Sequence, residues 1–336
     1  MENFNYIELH RTRDFSRKLN ATFEFIKQNF KPFGKSILFI AGPCVLVASL
    51  LLGSFMKDVM SLSVANGLGS NSGFENQFLS VNYWLTISAM ILFYLLSTVM
   101  ALATINSYIV LYGEKKTNQI PFSDVWARVR TQLWTYLGSI FLFALVVTVV
   151  GGVIVGLGVA LMAASPAIGV FYFIAAYIGF IYAIVGSCFT FIIQSYEKLG
   201  FFEALTRSLK LVTGKWWSTF GLLFILSMVV GVMSYVIIIP FYVITFISAF
   251  HEIEGTPGTV SPIMAIVSTI SITLYYATQM LLSTLPHTGI AFQYFNLVEL
   301  KESKGLLQAI DSLGQQPPTS SSTFEDPTPT SDEEQY

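Results

Sequence analysis

Charge is what this sequence has least of. Asp, Glu, Lys and Arg make up 11% of its 336 residues, against about 25% in a soluble chain. Hydrophobic residues make up 54%. The length alone would fit two or three soluble domains, and this composition excludes them. With a net charge of -2 there is no basic field to draw in nucleic acid, so no such partner is expected. Cysteine is nearly absent. Cys44 and Cys188 sit in apolar runs, are too few for a disulfide framework or zinc cluster, and read as small buried hydrophobes. His10, His251 and His287 lack metal-ligand spacing, so neither a metal nor another cofactor is expected. Residues 1–35 precede the first apolar run and no small-residue cleavage site follows it, which argues against a signal peptide.

Catalytic patterns are missing as well. No Gly-x-Ser-x-Gly elbow occurs. Gly67, Gly69 and Gly73 fall in a predicted outer loop, not at a strand–helix junction that could cradle phosphate. No apolar run holds an acid. Glu203 and Arg207, spaced i, i+4, read as a surface ion pair. A non-enzymatic protein is expected.

What is abundant is long apolar sequence. A bilayer core about 30 Å thick needs about 20 apolar residues of helix. Six runs qualify, at about 36–56, 83–112, 133–163, 167–194, 217–249 and 261–291. Tyr83, Trp84, Tyr108, Tyr112, Trp134, Tyr136, Trp216 and Trp217 fall near their ends, where amphipathic rings favour the headgroup level. Pro43, Pro240 and Pro286 are expected to kink spans one, five and six. The fold predicted is an all-α, six-span membrane domain over 36–300, with a leader at 1–35 and a tail at 301–336. The tail is rich in Pro, Ser, Thr and acid, and disorder is expected from about 315.

Of the 18 Lys and Arg residues, only Lys57 falls outside the leader, the second-to-third and fourth-to-fifth connections, and the tail. By the positive-inside rule both termini are cytoplasmic. The basic segments are also amphipathic. Phe15, Leu19, Phe23, Ile26, Phe30 and Phe33 recur at helical steps in the leader, Phe122, Val125, Trp126, Val129 and Leu133 before span three, and Phe201, Leu205, Leu209, Val212 and Trp216 before span five. Three basic helices lying in the inner interface are expected, with anionic lipid headgroups as partners. The chain then reads as a three-fold repeat of helix–span–span, although any basic linker before a span could give the same pattern.

Two intramembrane patterns stand out. Gly152, Gly156, Ala160 and Ala164 on span three, and Ala175, Gly179, Ala183 and Ser187 on span four, recur every four residues. Small residues let helices approach closely, and with only Ser165 and Pro166 between the spans a tight antiparallel hairpin is expected. On span six, Ser271, Tyr275, Gln279, Ser283 and His287 form a polar track, which serves either as interhelical hydrogen bonds or as the lining of a hydrated path.

The segment Tyr196-Glu197, Glu203-Ala204-Leu205-Thr206-Arg207-Ser208, Leu211-Val212-Thr213-Gly214-Lys215-Trp216-Trp217 and Phe220-Gly221 resembles a stretch recurring in bacterial six-span membrane proteins. That group includes the membrane domain fused to some glycerophosphodiester phosphodiesterases. The resemblance implies a multi-pass protein of the bacterial inner membrane. It carries over no active site, because the phosphodiesterase barrel is a separate soluble domain without a counterpart in these residues. The expected function is a scaffold or accessory component of an envelope process, with a protein partner, because no charge inside a span marks a coupling ion. A transporter of a small or lipidic solute, using the span-six track, is the alternative.

Overall fold

The computed structural model describes residues 4–65, 79–253, 262–303, 305, 307 and 310. The centre of the expected outer loop, Glu254 of the acidic loop, and the expected disorder of the tail fall outside the described residues. Among the described residues the chain is helical and has no strand. The helices are α1 (Phe15–Ile40), α2 (Gly42–Ala65), α3 (Val81–Lys115), α4 (Phe122–Ala164), α5 (Pro166–Ser187), α6 (Thr190–Glu197), α7 (Phe201–Val212), α8 (Trp216–Ile253), α9 (Pro262–Leu282) and α10 (Thr284–Glu302).

Five stretches are long and apolar enough to cross a membrane: Val81–Lys115, Phe122–Ala164, Pro166–Glu197, Trp216–Ile244 and Ile266–Glu302. A sixth is formed if Phe15–Ile40 and Gly42–Met56, bent by 59°, count as one broken span. The bend falls at Ala41, just before Pro43, whose missing N–H removes a helix hydrogen bond. Span six is interrupted at Ser283, three residues before Pro286, yet runs on from Ile266 to Glu302 as one span. In contrast, α8 continues through Pro240.

Three helices, α3, α4 and α8, are far longer than a bilayer requires. The 43 residues of α4 reach about 64 Å and must project well beyond a hydrocarbon core of about 30 Å. The basic ends of α3 and α4 meet there, where Arg128 pairs with Glu114 and Lys115 with Asp124.

The basic segments do not form three equivalent interfacial helices. Residues 122–133 are the first turns of α4 itself, and only α7 stands apart from the span that follows it. α1 is a packed element that touches α2, α3, α4, α8 and α10. Its aromatic stripe mostly faces outward, with Phe15, Phe23 and Phe30 exposed, while Lys18, Ala21, Thr22, Phe25, Asn29 and Phe33 are buried. An outward stripe is what a helix at the lipid interface requires, because apolar side chains are stable against acyl chains and polar ones need partners inside the protein.

The expected hairpin is present, but the expected stripes do not hold it. One extended residue, Ser165, joins α4 to α5, and Pro166 opens α5, where its missing N–H costs nothing. Contacts run symmetrically about this turn. A Cβ at Gly169 would lie 2.6 Å from the Met162 Cα, and one at Gly158 would overlap the Phe173 ring. Gly152, Gly156 and Gly179 have no such neighbour within 4 Å, and Gly152, Gly156, Ala160, Ala164, Ala175, Gly179 and Ala183 are all exposed. Ser187 instead accepts a hydrogen bond at its carbonyl from Thr190 at 2.7 Å. The turn geometry fixes which face of each helix points inward, and it selects the Gly158 face, two residues off the stripe.

Candidate functional site

The chemistry collects at the basic end, around α10. From Thr288 to Val298 every residue but Ile290 is buried, and α10 packs against α1, α3, α7, α8 and α9. Gly289 makes this possible, since a Cβ there would overlap Leu226 of α8 and lie 3.7 Å from the Thr22 hydroxyl of α1. A helix enclosed on all sides in this way acts as the hub of a bundle.

Three polar groups radiate from the hub. First, the Lys18 ammonium donates to Gln293 Oε1 and Ser218 Oγ, each at 2.8 Å. Gln293 Nε2 donates onward to Thr219 Oγ1 at 3.0 Å. Lys18 is only 3% exposed, and no carboxylate lies within ion-pair distance of it among the described residues. A buried cation held by neutral oxygens is costly, and in a membrane protein such a group marks function more often than stability. The apolar runs carry no charge, but the assembled protein does bury one, supplied from outside those runs.

Second, the Tyr294 hydroxyl donates to Glu197 Oε1 at 2.6 Å. Glu197 also pairs with Arg207, whose Nη2 reaches Glu302 at 3.0 Å. Burial acts to lower the Arg207 pKa, and its bonds to Glu302 and Glu197 outweigh that and raise it. The expected Glu203–Arg207 pair is therefore replaced by a longer-range triad. Glu203 caps its own helix, accepting from the Gly200 N–H at 3.4 Å.

Third, the segment before α1 straps across this end. The Ile7 N–H donates to the Tyr112 hydroxyl at 2.9 Å and Tyr6 stacks on the Tyr112 ring. Leu9 is buried against Gly113. His10 Nε2 and the Tyr196 hydroxyl share a hydrogen bond of 2.8 Å, and the Arg13 N–H donates to Asn296 Oδ1 at 2.6 Å. Nothing in the polar composition of residues 4–14 signalled this docking, because its partners lie some 100 to 280 residues away.

The remaining predicted residues scatter. Trp216 stacks on Tyr182 and Phe220, Trp217 is exposed, Lys215 is exposed, and Gly221 lies in ordinary contact with Phe15. On the track, Ser271 is buried and Tyr275 is partly buried. Gln279 Oε1 accepts from Ser234 Oγ of α8 at 2.5 Å. Ser283 donates to the Met280 carbonyl, and His287 Nδ1 to the Ser283 carbonyl, both at 2.6 Å. Among the described residues no three His, Cys, Asp or Glu side chains gather as a metal group.

These features define a multi-pass, all-α membrane protein with a polar hub at its basic end. Comparison with family models, with curated proteins and with solved structures finds no match to the chain.

Proposed function

We propose that this chain is a non-enzymatic scaffold or accessory component of an envelope process in a bacterial inner membrane, with its hub end and both termini on the cytoplasmic side. The 196–221 resemblance and the one-sided distribution of Lys and Arg support that setting. The observation that carries the scaffold reading is the Gln279–Ser234 bond, accompanied by two track residues bonded to their own helix. These groups join helices or satisfy backbone, as packing residues do. Gln279→Leu should then lower stability by up to about 2 kcal/mol. Cysteines placed at 275, 279 and 283 should resist water-soluble thiol reagents in the membrane. Labelling at all three positions, with the Leu variant as stable as the parent, would overturn the scaffold reading.

Lys18 favours a second reading, transport of a small or lipidic solute, because a buried cation is a natural site for an anionic cargo or a proton. Lys18→Met keeps the length of the stem. If the second reading is right, the variant is stable in membranes and solute flux is lost. Under the scaffold reading nothing but stability changes.

A further inference from the structure

A groove of about 1050 Å³ runs between α1 and the 116–121 connection, lined by Phe23, Lys27, Phe30, Lys31, Lys35 and Phe122 among others. Lys27, Lys31 and Lys35 stand one turn apart along one line of α1 and span about 12 Å of helix axis. No acid lines the groove. Glu24, one turn back, is held by Gln28 at 3.0 Å. Among the described residues none of the three lysines has an ion-pair partner, whereas Arg11, Arg17, Lys115, Arg128 and Arg207 each have one. Like charges at i, i+4 repel along a helix, so the row is electrostatically incomplete as it stands.

Apolar surface adjoins this cationic wall. Phe30 is 70% and Phe39 61% exposed, and Phe39 meets Phe122 edge-on at 6.3 Å. A bend of 59° separates α1 from α2. A row of cations beside exposed aromatics fits an amphiphile rather than a soluble anion. We propose that this groove binds the phosphodiester headgroup of an anionic phospholipid, with Lys27, Lys31 and Lys35 around the phosphate and Phe30 and Phe39 against its chains. The assignment holds under either functional reading.

The test uses the purified full chain in mild detergent and follows thermal unfolding against added phosphatidylglycerol, phosphatidylcholine or sn-glycerol 3-phosphate. Phosphatidylglycerol should stabilise the parent protein best. Each lysine near an anionic headgroup contributes a factor of roughly five, so K27Q/K31Q/K35Q should raise the half-saturating concentration on the order of 100-fold. R130Q/K198Q/K210Q, which removes the same charge from exposed positions elsewhere, should leave it unchanged. Native mass spectrometry should show a retained phosphatidylglycerol adduct on the parent that the groove variant lacks. Equal loss in both variants would reduce the effect to diffuse surface charge and overturn the site. Equal stabilisation by phosphatidylcholine, or full stabilisation by sn-glycerol 3-phosphate, would overturn the anionic-lipid assignment.

Discussion

Lys18 and Gln293, 275 residues apart, meet at 2.8 Å inside the bundle, where the amide oxygen of Gln293 accepts a hydrogen bond from the buried ammonium. This bond ties the first described helix to the last and leaves Lys18 dependent on neutral acceptors. Its energetics are asymmetric. Gln293→Leu leaves the buried cation with Ser218 Oγ as its one remaining acceptor and should destabilise by about 2–4 kcal/mol, whereas Lys18→Met strands only neutral groups and should cost less. The double variant should recover most of the Gln293→Leu loss. Thermal unfolding of all four proteins closes the cycle, and strictly additive effects would show that the bond contributes nothing.

The α4–α5 turn predicts an ordering of glycine substitutions. Gly169→Leu meets backbone that cannot move aside and Gly158→Leu meets an aromatic ring, so each should cost about 1–3 kcal/mol. Gly156→Leu points into open space and should be nearly silent in a membrane. Detergent unfolding midpoints read the three, and a large effect at Gly156 alone would restore the stripe as the packing face.

The Arg207 triad predicts which acid matters. Arg207→Met leaves Glu197 and Glu302 without their cation and should cost about 1–2 kcal/mol at this partial burial. Glu203→Ala removes only a helix cap and should cost less than 1 kcal/mol. Coupling measured in the Arg207/Glu203 double variant should be near zero, and in the Arg207/Glu197 double variant substantial.

One hydroxyl ties the start of the docked strap to α3. Tyr112→Phe removes the acceptor for the Ile7 N–H and should cost about 1 kcal/mol. Limited proteolysis should then cut within residues 4–14 sooner than in the parent. Unchanged cleavage would mean that the remaining contacts, Tyr6 on Tyr112, His10 to Tyr196 and Arg13 to Asn296, hold the segment without this bond.

Orientation is open to labelling in intact cells. A cysteine at Lys116 should be protected from an impermeant reagent, and cysteines at Asn71 and Gly255 should react. The reverse pattern would turn the molecule over.

The contrast between legible and hidden features follows from what a one-dimensional pattern records. Apolar run length reports the cost of backbone in lipid, so the spans, the hairpin turn and the breaks near Pro43 and Pro286 were readable. Which face points inward depends on the neighbours, and there the reading went astray. On α1 the outward aromatic stripe was legible, but the inward turn of the polar Lys18, Thr22 and Asn29 was not. On α4 a regular stripe of small residues drew attention, while the contact fell on Gly158. The hub was the least visible element of all. The most apolar stretch of Ile266–Glu302 has a mean hydropathy of 1.2, the lowest among the five unbroken spans, and the bundle closes around the buried Gln293, Tyr294 and Asn296 of α10.

The central position of α10 also sets a timetable for biogenesis. A ribosome adds about 5–20 residues per second, so Gln293 is made tens of seconds after Lys18. Throughout that interval α1, α3, α7 and α8 lack the helix that fills the space between them. The half-made protein therefore carries an unmatched lysine and an open seam past the insertion of its earlier spans, and assembly completes from the chain's late end. A chaperone or insertase that shields such a seam would act on this intermediate, before the finished fold exists.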